Sequence, residues 1–406
     1  MPANDAPTAR SYRATVSALA IGQLVGWAAL YYTFSSLVLP MQAEIGWSKQ
    51  VLMGAFTLGL AFWGAASYAA GAAIDRGHGR RVMSAGAALA GIGFLLWSQV
   101  STIAWLYAAW ALMGSAMAMT LYEPAFSVLA KRFPERFGHA ITALTLVGGF
   151  ASTLSFPAVA WLIGLLGWRG ALAAIGLVLL FGVAPLHAWA LQGPAFEVVG
   201  PRSGGGPFAE DATLRQALRQ RAFWLLTLCF TLHAFVAAAM WAHIMPALAA
   251  KGRSEVQSVA IVVWFGPAQV AGRFVYMLCL RAGLRIGVRT LGFGVLALLA
   301  VSMALFALVE GTAGLLLFAL LFGTANGLVT IVRGSLTPQY FGRSQLGRIA
   351  GAMTGIALLS RACAPLLTAW ALLWFSGYRG LLLALAALGS LAVAALALAG
   401  SPPRRG

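Results

Sequence analysis

Charge is what this sequence is short of. Aspartate and glutamate together number 10 in 406 residues, and charged residues of all kinds make up 9%, against about 25% in an ordinary soluble domain. That share cannot clothe a water-facing surface, which excludes a soluble globular enzyme. Cysteine is scarce as well. Cys229, Cys279 and Cys363 lie far apart and inside apolar runs, so neither a disulfide framework nor a zinc site is expected, and no metal or other cofactor is. Polar stretches are nearly missing, leaving no room for a large soluble domain.

What fills the chain is apolar: 61% of residues are hydrophobic. Runs of about 20 or more apolar residues bordered by charge read as membrane spans. Twelve such runs are expected, near 14–40, 50–74, 82–101, 103–130, 140–166, 169–191, 222–247, 257–280, 288–309, 313–338, 349–375 and 379–400. The first run exceeds the apolar core of a signal peptide, about 7–15 residues, so it is expected to remain a helix of the mature protein. A formal charge of +17 would suit a nucleic-acid binder if it formed one basic face. It sits instead in short loops, which makes the lipid bilayer the partner and excludes nucleic acid.

The loops also orient the chain. Nineteen Lys and Arg fall on one side, among them Arg10, Arg80, Arg132, Arg221 and Arg348, and five on the other: Lys49, Arg169, Lys251, Arg253 and Arg379. The basic side is cytoplasmic, so both termini are expected inside a plasma or cell inner membrane crossed many times. The longest connection, 192–221, carries Gly200-Pro201 and Ser203-Gly204-Gly205-Gly206-Pro207 and reads as a flexible cytoplasmic linker between residues 1–191 and 222–406. Asp211 is placed to cap a short basic helix carrying Arg215, Arg219 and Arg221, suited to anionic headgroups.

Those two parts share a pattern. Gly167-Trp168-Arg169-Gly170 matches Gly377-Tyr378-Arg379-Gly380 at an offset of 210 residues, and at the same offset the hexapeptide ending at Pro124 aligns with the one ending at Gly334. A repeat of this kind is the usual construction of secondary transporters, with the substrate held near mid-membrane. The expected fold is therefore an all-α membrane protein of twelve transmembrane helices in two pseudo-symmetric six-helix halves.

After the second run, Gly71, Asp75, Arg76, Gly79, Arg80 and Arg81 spell GxxxDRxxGRR. Gly71 lets a neighbouring helix come close, Gly79 is expected to form a tight turn, and the arginines suit the phosphate layer. This resembles the signature of the major facilitator superfamily. The resemblance implies that Asp75 faces the N-terminus of a helix from the other half, where the dipole favours an anion, and latches a cytoplasmic gate. Proton-driven drug exporters of that superfamily carry an arginine four residues before a glycine of the fourth helix. Here Trp110 precedes Gly114, which counts against a drug/proton antiporter. Tyr31, Tyr32 and the run Gly266-Pro267-x-Gln269-x-x-Gly272-Arg273 are similar to monocarboxylate and oxalate/formate porters, in which an arginine of the eighth helix pairs with substrate carboxylate.

Charges inside spans are expensive and mark function by default. Arg361 lies about 12 residues into the eleventh run, Arg273 deep in the eighth and Arg333 toward the end of the tenth; Glu123 is the one acid away from the loops. Arg361 and Arg273, with Tyr31, Tyr32, Gln269 and Asn326, are the expected substrate-binding residues. Glu123 and Arg333, at matching places of the repeat, are the expected gate or proton-handling pair. A mid-helix histidine, His233, also reads as a satisfied core residue.

A membrane-embedded enzyme would need clustered acids or paired His and Asp, and a receptor an output domain. Neither feature is found, so the sequence reads as a transporter and not an enzyme. Three intramembrane arginines against one glutamate favour an anion. The expected function is secondary active transport of a small monocarboxylate or dicarboxylate by alternating access, with a proton or in exchange, by a monomer. The alternative is proton-coupled efflux of drugs, metabolites or metalloid oxyacids.

Overall fold

The computed structural model describes residues 9–192, 211–284, 286–375 and 377–403, all of them helical or in short connections. Hydrocarbon offers backbone groups no hydrogen bonds, so a helix, which satisfies its own, is what an apolar run must form. The chain divides into two compact units, Met1–Gly200 with Leu346–Gly351, and Pro201–Gln345 with Ala352–Gly406.

In the first unit, α1 (Ala9–Trp27) passes through a π-turn (Ala28–Tyr32) into α2 (Thr33–Ile45). There follow α3 (Lys49–Ala73), α4 (Gly79–Ser98), α5 (Ile103–Thr120), α6 (Tyr122–Arg132), α7 (Phe137–Gly148), α8 (Ala151–Leu177) and α9 (Ala184–Ala190). An aromatic knot packs α2, α3, α4 and α5 together: Phe34 stacks on Phe56 with centroids 4.7 Å apart, and Trp110 meets Phe34 edge-on at 5.2 Å and Trp97 at 5.0 Å. A side chain at Gly114 would collide with the backbone of Gly59, so these two spans touch through their backbones.

In the second unit, α10 (Leu214–Arg219) leads into α11 (Arg221–Ala250), α12 (Glu255–Val262), α13 (Phe265–Arg281), α14 (Val288–Leu308) and α15 (Thr312–Phe341). Next come α16 (Leu346–Ala371), whose first turn groups with the first unit, and α17 (Tyr378–Leu398). Its core is a buried cluster of Met240, Phe265, Phe306, Phe318, Phe322 and Leu385.

Among the described residues, ten helical stretches are long and apolar enough to cross a membrane, where the sequence predicts twelve. The difference falls at Gln50–Ser98, 49 residues long, and Pro134–Ala190, 57 residues long. Each swallows two of the expected runs. At about 1.5 Å per residue, either stretch has length for two crossings of a core about 30 Å thick. Each is interrupted by one glycine of positive φ, Gly77 (89°) and Gly167 (68°). The turn therefore belongs to Gly77. Gly79 is helical and lets α4 approach Val128, which corrects the expectation from sequence.

Residues 193–210 of the expected linker, and with them Ser203, lie outside the described residues. Within the rest, α10 is capped by Thr213 in a capping box with Gln216 and ends before Arg221. Asp211 does something else: its Oδ2 accepts from the backbone N–H of Arg343 at 3.0 Å and of Ser344 at 2.9 Å.

Candidate functional site

The signature loop is built around a carboxylate. Asp75 is 7% exposed. Its Oδ1 accepts from the N–H of Gly347 at 3.0 Å and from Lys131 Nζ at 2.8 Å, and its Oδ2 from the N–H of Arg348 at 2.9 Å. Gly347 and Arg348 open α16, where the N–H groups have no intrahelical acceptor and the helix dipole is positive. Asp75 therefore supplies, from another segment, the cap that Gln345 does not. Backbone contact makes this possible, since a Cβ at Gly71 would collide with Gly347 and a Cβ at Gly351 with Ser67. Arg76 and Arg81 are exposed. Arg80 Nε donates to Ala188 O at 2.8 Å, and Arg132 donates to Ala190 O at 3.3 Å and Gln192 O at 2.7 Å. Two cations thus cap the negative end of α9.

The fourth span is discontinuous. Helix α5 stops at Thr120, Leu121 is extended with ψ −154°, and α6 restarts at Tyr122. The cause is readable in the chain: in an unbroken helix Thr120 O would accept from residue 124, which is proline and has no N–H. Gln23 of α1 replaces that donor, its Nε2 reaching Thr120 O at 2.7 Å and Leu121 O at 3.3 Å. The restart leaves Glu123, half-buried, in the first turn of α6. Tyr31 and Tyr32 occupy the π-turn of the first span, a conformation that recurs at functional sites. They are half-buried in a row of rings: Trp27 to Tyr31 5.5 Å, Tyr31 to Phe56 5.8 Å and Trp27 to Tyr122 4.9 Å between centroids.

In the second unit, α13 and α15 meet backbone to backbone, because a Cβ at Gly327 would collide with Gln269. Arg273 is 3% exposed. Its Nε donates to Gly327 O at 2.8 Å, while its Nη1 is buried with no hydrogen-bond partner. Half of that guanidinium is thus committed to helix packing. Gln269 and Asn326 are half-buried, Asn326 Nδ2 donating within its own helix to Phe322 O at 2.9 Å. Helix α16 continues through Pro365, and Arg361, half-buried, has no hydrogen bond or ion pair among the described residues. His233 of α11 lies within electrostatic reach of both Arg361 and Arg333. It is 5% exposed, and its Nε2 has no hydrogen-bond partner. Two arginines expected from sequence thus share the surroundings of one buried imidazole.

Two residues of these arrangements escaped sequence reasoning. Lys131 read as a loop cation, although a basic residue at the foot of the Glu123 helix was a signal. Gln23 is the one amide inside the first apolar run, and its role depends on a proline about 100 positions away in sequence.

Residues 19–361 match the family model described as Major Facilitator Superfamily. Rat monocarboxylate transporter 13 is 26% identical over 346 residues, 81% of this chain and 74% of that protein. Among solved structures, the human organic anion transporter MFSD10 (TETRAN) has a TM-score of 0.71 and 16% identity, covering 95% of this chain and 99% of that one. The Escherichia coli fucose:proton symporter FucP has a TM-score of 0.75 and 12% identity, covering 97% and 100%. At these identities the two structures speak for the fold alone.

Proposed function

The chain belongs to the Major Facilitator Superfamily, as a secondary transporter and not an enzyme, and on that premise we propose that it moves a small organic anion by proton-coupled alternating access. The observation that carries the anion is Arg361: half-buried in a membrane helix, with no hydrogen bond or ion pair among the described residues, and accompanied by Arg333 and His233. A desolvated guanidinium is worth keeping where a carboxylate ligand supplies the missing charge. Tyr31, Tyr32, Gln269 and Asn326 would orient such a ligand, and Arg273 would lend it the N–H groups that packing does not use. Glu123 would carry the proton, and Asp75 with Lys131 would latch the cytoplasmic side, both termini lying in the cytoplasm.

Of the two expectations from sequence, the alternative, proton-coupled efflux of drugs, metabolites or metalloid oxyacids, draws more support than carboxylate transport. FucP is described as a proton symporter and MFSD10 as an organic anion transporter, whereas the monocarboxylate name rests on relatives of low identity. Proton-coupled movement of a metabolite, export included, is therefore the core of the reading, and a monocarboxylate or dicarboxylate is its narrower form. Purified protein in liposomes with an imposed pH gradient tests both. Labelled lactate, succinate and arsenite should include a substrate whose flux rises severalfold with the gradient. Gradient-driven flux of a cationic dye alone would overturn the anion reading, and anion flux indifferent to the gradient would overturn proton coupling.

A further inference from the structure

The break in the fourth span exposes a carbonyl that the chain itself has orphaned. Thr120 O loses its helical donor to Pro124, and in hydrocarbon no water replaces it. The donor that does is an amide on another span. Gln23 is fully buried, its Nε2 lies 2.7 Å from Thr120 O and 3.3 Å from Leu121 O, and its Oε1 has no partner. An amide kept with one end unsatisfied is kept for the other end, since a buried acceptor without a donor is destabilising. The break matters because an acid stands just beyond it: Glu123, two residues after Leu121, lies in the first turn of the restarted helix α6, where the dipole favours a carboxylate.

We infer that Gln23 is a positioning residue for proton coupling. By satisfying Thr120 O, the carbonyl left without a donor while Leu121 O also accepts from Ala125 N–H at 3.4 Å, it holds the fourth span open and keeps Glu123 at a helix N-terminus rather than inside a continuous helix. The first span thereby sets the environment of the proton carrier without touching the substrate. The pH part of this inference rests on Glu123 as that carrier; the backbone part does not.

Four variants in liposomes separate the two parts: Gln23→Leu, Pro124→Ala, the double variant Gln23→Leu/Pro124→Ala, and Glu123→Gln. Gln23→Leu should lower the melting midpoint by about 2–5 °C, because Thr120 O loses its donor. Pro124→Ala restores a backbone N–H for Thr120 O, so the double variant should regain that loss. It should not regain the wild-type pH profile of proton-driven flux, because its helix has closed and Glu123 is no longer at an N-terminus. Recovery of both stability and pH profile would reduce Gln23 to a structural residue, and a Gln23→Leu variant as stable as wild type, or losses that add in the double variant, would overturn the inference. If Glu123→Gln keeps the wild-type profile, the proton-carrier reading fails and the pH arm with it, while the melting data still decide whether Gln23 holds the break.

Discussion

Gln23 and His233 stand 210 positions apart, as do Glu123 and Arg333, and the two pairs are built in opposite ways. In the first unit a neutral amide feeds two backbone carbonyls, the helix is cut at Leu121, and the charged residue is an acid at the restart. In the second unit Gly334 replaces Pro124, α15 runs 30 residues without a break, and the charged residue is a base facing an imidazole with a vacant nitrogen. One sequence pattern has thus been spent on two jobs. A proline settles which, because it removes one hydrogen bond and forces a second span to supply it. The uncut helix needs no such donor from another span.

If the second unit is the anion-binding side of that contrast, Arg361→Ala carries the largest effect. Charge-assisted hydrogen bonds contribute about 1.5–3 kcal/mol each, so anion affinity should fall by roughly 10- to 100-fold, measured at equilibrium on purified protein. Arg361→Lys should rescue poorly, since a point charge does not match the planar carboxylate. Near-normal affinity in Arg361→Ala would move the role to Arg273.

Glu123→Gln addresses the acid side. It should flatten the pH dependence of flux and slow proton-driven transport by about tenfold while anion exchange persists, a split that removing a proton carrier produces and a general loss of fold does not. Equal loss of exchange and proton-driven flux would erase the division of labour between the two units.

Asp75→Asn tests whether the latch stands apart from both. The amide keeps the shape but weakens the bonds to Gly347, Arg348 and Lys131, so flux should drop by about threefold to tenfold with binding unchanged. Loss of binding at normal protein abundance would bring Asp75 into the ligand site. The smallest effect is expected for His233→Gln, which gives the second unit the amide of the first. Without an orphaned carbonyl to satisfy there, affinity should change by less than about twofold. A larger change would make the imidazole a ligand.

How much of this was legible beforehand varies with the distance over which the physics acts. Spans follow from apolar runs because hydrocarbon enforces them locally, and Asp75 stands at a helix N-terminus, where the signature resemblance put an acid. Counting spans was less secure: charge borders separate 50–74 from 82–101, whereas in the structure one long stretch covers both and bends at Gly77 with no loop between them. Gly79 was misread as the turn because two nearby glycines compete and spacing alone does not rank their φ. Pro124 announced an orphaned carbonyl four residues earlier, yet nothing local named Gln23 as the donor. Arg273 read as a ligand because it stands in a motif similar to that of the monocarboxylate porters, while its bond to Gly327 O depends on how closely two backbones pack.

The contact between Gly71 and Gly347 is made of backbone with no side chains on either glycine. Opening it would wet little hydrocarbon, and heat-capacity change follows the apolar area exposed. If this contact is the proposed latch, its opening equilibrium should shift only gently with temperature, its enthalpy set by three hydrogen bonds to one carboxylate. Replacing either glycine by a larger residue would drive a Cβ into the opposing backbone, so this thermal signature is available only to a contact between two glycines.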